Sequence, residues 1–137
     1  MANRSRIVAR LVLCSSLFAL QACSGPGDMP EIGAVSGTVT IDGKPLSGAL
    51  IKFKPDVGRV SAAVTDSAGN YTLQYTEGVY GTKLGPNTVS LEYELGASGP
   101  PIPKKWGDQS TEKVDVKVGD NKFDFQLTPD PPKGSKR

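Results

Sequence analysis

From Val35 onward the chain alternates apolar and polar residues with a period of two, the mark of strands that bury one face. The first run sets Val35, Val39 and Ile41 against Ser36, Thr38 and Thr40. The second opposes Ala49, Ile51 and Phe53 to Leu50, Lys52 and Lys54. The third puts Val60, Ala62 and Val64 inside and Ser61 and Thr65 outside, and the fourth puts Tyr71, Leu73 and Tyr75 inside. In the fifth, Val89, Leu91, Tyr93 and Leu95 face inward and Thr88, Ser90, Glu92 and Glu94 outward. The last two bury Val114, Val116 and Val118, then Phe123, Phe125 and Leu127. No stretch of comparable length shows a helical period. Seven short runs with one apolar face each predict an all-β domain of two packed sheets, a β-sandwich, over residues 35–128.

Turn residues fall between the runs. Asp42-Gly43 supplies the positive φ angles of a tight hairpin, and Pro45 is expected to stop ladder pairing just beyond it. Asp66 to Asn70 reads as a type I turn closed by a left-handed glycine, and Gly119-Asp120-Asn121 as a similar link between the last two runs.

The first 22 residues have a different pattern. Arg4, Arg6 and Arg10 flank or precede a ten-residue apolar stretch, Leu11 to Leu20. Ten helical residues span roughly 15 Å, about half the hydrocarbon core of a bilayer, so the segment reads as a secretory signal. It ends in Leu20-Gln21-Ala22-Cys23, which resembles the bacterial lipoprotein box. That resemblance implies cleavage between Ala22 and Cys23, and lipid (diacylglycerol with further acyl chains such as palmitate) on Cys23. The partner it implies is the membrane, in a secreted, lipid-anchored protein. Ser24, where the sorting rule of some lineages reads Asp as an inner-membrane signal, leans towards the outer membrane or a periplasmic or cell-surface face. Residues 23–34 hold Gly or Pro at every second position from Ser24 to Gly33 on average, and are expected to form a tether. Residues 129–137, with three prolines and three basic residues, are expected to form a disordered tail.

Composition narrows the chemistry. The 137 residues include no histidine, and both cysteines, Cys14 and Cys23, precede the domain. Histidine-based catalytic sites, a disulfide framework and Cys-rich metal centres in the body are thereby excluded. The formal charge of +2 comes from 16 basic and 14 acidic residues. Removing the three signal arginines leaves 13 against 14, too little positive charge for a nucleic-acid partner. No cofactor is expected.

Val35-Ser36-Gly37-Thr38-Val39, Asp42 to Ala49 (DGKPLSGA) and Thr65 to Leu73 (TDSAGNYTL) together resemble the carboxypeptidase regulatory-like, or transthyretin-like, domain over roughly residues 35–95. The resemblance implies a seven-stranded Greek-key sandwich and a non-catalytic accessory module. Pro103 to Trp106 and Gly119 to Phe125 look like the closing half of small bacterial lipoproteins built on this domain.

The segment Gly96 to Thr111 is the one long irregular stretch, where strand connections usually need about four to six residues. Lys104, Lys105, Trp106 and Asp108 make it a possible binding loop for a carbohydrate or peptide. The other reading, which a lone Trp without a coplanar partner favours, has Ile102 and Trp106 folding back over an open end of the sandwich. Asp66, Asn70 and Asp120 offer oxygen atoms to calcium, but Asx-turn hydrogen bonding accounts for them without metal. Lys52, Lys54, Lys113 and Glu92 fall on outward phases and read as a solvated face rather than as chemistry. The sequence thus predicts a non-enzymatic envelope protein with a structural, display or binding role. Binding through the Trp106 loop, to an envelope polysaccharide or peptide, and service as an accessory subunit of an envelope protein complex are the alternatives.

Overall fold

The computed structural model describes residues 29–132 and Gly134. Ala22, Cys23 and the signal segment lie outside the described residues. The chain forms twelve strands and one turn of 3₁₀ helix, Lys104–Trp106. In chain order the strands are β1 (Ile32–Ile41), β2 (Lys44–Pro45), β3 (Ala49–Pro55), β4 (Ser61–Val64), β5 (Asn70–Thr72) and β6 (Gln74–Thr76). They continue with β7 (Val79–Tyr80), β8 (Thr82–Lys83), β9 (Gly85–Tyr93), β10 (Lys113–Val116), β11 (Asp120–Lys122) and β12 (Phe125–Leu127).

Two six-stranded sheets face each other. One is antiparallel throughout, in the order β10-β9-β3-β4-β6-β7. The other is mixed and built around β1. On one edge of β1 lie β8, β5 and β2, all antiparallel. On its other edge lie β11 and β12, both parallel. The expected β-sandwich is therefore the fold. The count of seven is not, because two runs are each split and the two-residue strands β2, β7 and β8 are too short to show a period.

The fourth run splits at Leu73, where the chain changes sheet: Tyr71 pairs with β1, and Gln74 pairs with β4. Leu73 itself is buried, and its N–H donates to the Val35 carbonyl. The seventh run splits at Phe123-Asp124. In an unbroken parallel ladder the Phe123 carbonyl would accept from Thr38 N–H. Instead it accepts the Tyr71 hydroxyl at 2.6 Å, and Asp124 Oδ1 takes the Thr38 N–H at 3.0 Å. Tyr71 reaches across β1 to this carbonyl because Gly37 lies between them. A Cβ on Gly37 would stand 1.8 Å from the Phe123 oxygen. Burial, and then the nearby Asp124 carboxylate, push the Tyr71 hydroxyl well above its ordinary pKa.

Aromatic rings join the two sheets. Phe53 of β3 lies 6.4 Å from Tyr71, 6.1 Å from Phe123 and 6.2 Å from Phe125, centroid to centroid. Such tilted and edge-on pairs add to the area they bury.

Inward assignments fail in the third to sixth runs; in the fourth, Tyr75 is only half-buried and does not join the core. In the third run the phase is reversed: Ser61 and Thr65 are buried, while Val60 and Val64 are 40% and 48% exposed. Residues directly opposite share a face, and β4 sets Ser61 against Phe53 and Ala63 against Ile51, so the apolar face of β3 decides the register. Thr65 is held by Ala49, whose N–H donates to its hydroxyl. Leu95 is fully exposed because β9 ends at Tyr93, opposite Ala49, where β3 begins. Val118 is exposed in the turn that leaves β10.

Two local expectations are also revised. The strand starts at Ile32, three residues into the expected tether, with Gly33 buried against the Lys117 carbonyl. Pro45 does not end pairing: it stands opposite Thr40, and the Leu46 N–H still donates to Val39. At that non-hydrogen-bonded position the missing proline N–H would have pointed away from β1. The Asp42-Gly43 turn has φ of 51° and 74°, as a type I′ hairpin requires.

Gly37→Ala is expected to lower stability by about 3 kcal/mol, because backbone must move to admit the methyl. Gly43→Ala, whose Cβ meets nothing within 4 Å, should lose only about 1 kcal/mol from its positive φ. Urea unfolding of the two variants checks the difference. Tyr71→Phe should lose about 1 kcal/mol near neutral pH. It should also change the alkaline limb. The unfolded state releases the Tyr71 proton near its ordinary value of 10.0 and the folded state only higher. Stability therefore falls as pH rises through and above 10, and that fall should be shallower in Tyr71→Phe, as urea midpoints between pH 9 and 11 would show (order of one unit either side of the ordinary value).

Candidate functional site

The long connection between β9 and β10 is fixed at several points. At its start the Tyr93 hydroxyl donates to the Pro100 carbonyl at 2.8 Å, and Gly99 is packed so closely on that ring that a Cβ would lie 2.4 Å from the hydroxyl oxygen. Desolvation of the hydroxyl raises the Tyr93 pKa above its ordinary value. At the 3₁₀ turn the Lys104 N–H donates to Asp130 Oδ2 at 3.0 Å, so the connection is tied to residues just beyond β12. At its end the Ser110 hydroxyl donates to the Val89 carbonyl of β9.

This connection has an inner and an outer face. On the inner face, Pro103 is buried, and Ile102 and Trp106 pack half-buried against the core. The Trp106 ring meets Phe125 edge-on at 5.3 Å between centroids. Above it the Lys105 ammonium lies 5.5 Å from the ring centre and is itself paired with Glu112 at 3.2 Å. Of the two readings of the loop, the fold-back over an open end describes this geometry. The Trp106 ring is engaged by Phe125 and by the Lys105 ammonium.

On the outer face, Asp108 and Ser110 overhang the antiparallel sheet. Below them the register sets Thr88 opposite Lys54 and Ser90 opposite Lys52. The four form a grid of about 5 Å across the strands and about 7 Å along them. Two adjoining hollows of about 370 and 190 Å³ lie here and share Lys54, Ser90 and Asp108. Lys52 is paired with Glu92 at 2.9 Å, and Asp56, also on the rim, with Lys113 at 3.1 Å. Lys54 and Asp108 have no ion-pair partner among the described residues.

Of the sequence-predicted loop residues, only Asp108 lines this cleft, while Lys105 and Trp106 are engaged with Glu112 and the core and Lys104 is tied to Asp130 through its backbone N–H. Lys54, Thr88, Ser90 and Ser110 are residues that sequence reasoning missed as a site. Their outward phase is legible, but the overhang that turns an open face into a cleft is not. A separate apolar groove of about 390 Å³, lined by Ile41, Pro45, Pro100, Pro101, Ile102 and Pro129, sits where β1 ends.

The candidate calcium ligands are not brought together. Asp66 Oδ1 accepts the N–H groups of Ala68 and Asn70, the Asn70 carboxamide oxygen accepts the Thr38 hydroxyl, and Asp120 lies on the opposite edge of β1. Among the described residues no cluster of three or more Asp, Glu, Cys or His side chains stands ready for a metal. No helix there is long and apolar enough to cross a membrane.

No protein-family model matches the chain. No curated protein matches it. Among solved structures, a DUF3823 family protein from Parabacteroides merdae ATCC 43184 is similar at 14% sequence identity with a TM-score of 0.48. The match covers 74% of this chain and 48% of that one, so the chain spans about half the length of that protein.

Trp106→Ala should lower stability by about 2–3 kcal/mol through loss of the packing on Phe125, and Trp106→Phe by much less. Urea unfolding of both checks that this indole serves the core.

Proposed function

We propose that the chain is a lipid-anchored, non-enzymatic cell-envelope protein, in which a β-sandwich of the carboxypeptidase regulatory-like kind is held at a membrane by acyl chains on Cys23. The observation that carries this reading is Leu20-Gln21-Ala22-Cys23 directly after a ten-residue apolar stretch and three arginines. It is supported by the short distance along the chain from Cys23 to the first strand, which begins at Ile32. Each buried methylene contributes about 0.8 kcal/mol, so two or three acyl chains hold firmly where one would exchange. The role at the envelope is structural or one of display and binding, and the anchoring of the β9–β10 connection at Pro100, Lys104 and Ser110 suits a module that carries surface features rather than moving parts.

The test is Cys23→Ser in the producing cell. The unsubstituted chain should incorporate labelled palmitate and enter the detergent-rich phase on temperature-induced phase separation. The variant should lose both properties and keep its uncleaved leader, seen as a larger mass. A variant that still partitions into detergent would overturn the anchor.

A further inference from the structure

We propose that the cleft between the Asp108–Ser110 overhang and the outer face of β3 and β9 is a binding site for a neutral, polyhydroxylated ligand, a saccharide. This inference does not depend on the lipid anchor, and it moves the binding function away from Trp106.

The chemistry of the lining carries it. Four charged side chains line the two hollows, Lys52, Lys54, Asp56 and Asp108, two of each sign. An anionic ligand would meet as much repulsion as attraction there, and so would a cation. The hydroxyls of Thr88 and Ser90 complete the polar lining, while that of Ser110 is engaged with Val89 and Glu112. A ligand that satisfies such a surface must both donate and accept at closely spaced points, and a hydroxyl does both. Lys54 donates only, and Asp108 accepts only. They line the same cleft, Lys54 from β3 and Asp108 from the overhang, and neither has an ion-pair partner among the described residues. A sugar hydroxyl set between them accepts from the ammonium, and its neighbour donates to the carboxylate. Hydrogen bonds to charged groups are the stronger kind, so these two residues should dominate affinity.

The geometry agrees. Lys54 and Asp108 are exposed and half-fixed only by their backbones, whereas the floor below them is rigid sheet. A hollow of about 370 Å³ is at the lower end of small-molecule sites, which suits one or two sugar rings rather than a long chain. The overhang is itself held in place, by the Ser110 hydroxyl on Val89 and by the Val89 N–H on Glu112. The sheet floor and the overhang are thus preformed, and the ordering on binding falls to the Lys54 and Asp108 side chains.

The experiment titrates the full chain in detergent micelles with neutral tetrasaccharides of glucose, mannose and xylose, and with tetragalacturonate as the acidic counterpart, read by isothermal calorimetry. At least one neutral probe is expected to bind with a Kd tighter than about 10 mM, and tetragalacturonate more weakly than that probe. Lys54→Met and Asp108→Asn should each weaken the best neutral probe about tenfold, while their urea midpoints stay at the unsubstituted value. Trp106→Phe should leave the affinity unchanged. The proposal is overturned if no neutral probe binds, if only the acidic probe binds, or if Trp106→Phe abolishes binding while Lys54→Met and Asp108→Asn do not affect it. Loss of palmitate labelling in Cys23→Ser has no bearing on any of these outcomes, so the two readings fail separately.

Discussion

The structure depends on β1 being paired on both edges at once. Its ten residues carry three antiparallel strands on one side and two parallel strands on the other, and the parallel partners come from the end of the domain. The first strand therefore has its hydrogen bonds completed only when the last one docks. Slippage of either partner by one residue would turn Val35, Val39 and Ile41 away from the aromatic rings of the opposite sheet. The break at Phe123-Asp124 shows how tightly this is held, since the register of β11 and β12 against β1 is the same on both sides of it. A carboxylate and a phenol together replace one ladder bond, and the strand needs a glycine where they cross.

The same economy of position explains the long connection. A sixteen-residue loop without regular structure would leave many backbone groups to water and little to fix it. Here its inner residues cap the core next to Phe125, and its outer residues border the sheet. The plug determines where the rim stands: with Trp106 seated edge-on, Asp108 two residues later is carried over the outer face of β9. Stability and surface chemistry are thus linked through a short stretch of chain.

Much of this was legible in the alternation of the sequence. The inward residues of the first and second runs, and Tyr71 and Leu73 of the fourth, are in the core, and the positive-φ turn at Asp42-Gly43 lies where its residues place it. The errors arise where intrinsic hydrophobicity and partner register disagree. Val60 and Val64 are more apolar than Ser61 and Thr65, but β4 is short and takes its face from Phe53 and Ile51 of β3. Period alone could not show that the fourth run changes sheet at Leu73, nor that Leu95 and Val118 continue an alternation past the end of any partner strand. Nor could it show the buried Thr82-Asn87 pair, in which the hydroxyl donates to the carboxamide oxygen at 3.2 Å while the amide binds two carbonyls. The cleft was half legible: the outward phase of Lys54 and Ser90 was readable, but not the overhang above them.

Surface ion pairs contribute little to stability, of order 0–1 kcal/mol each, so the pairs around the cleft need another account. Lys52 with Glu92 and Lys113 with Asp56 engage charges that would otherwise point at the same hollow. With those satisfied by neighbours on the sheet, the charges lining the hollow balance, and two side chains without partners, one of each sign, share it. A surface selected only for solubility has no need for such an arrangement, since any scatter of charges would serve. Pairing the flanking charges while leaving one donor and one acceptor unpaired in the same hollow lowers the attraction for ions and preserves it for groups that donate and accept together. On the proposed saccharide reading, that selectivity, rather than added stability, is what the ion pairs of this face supply.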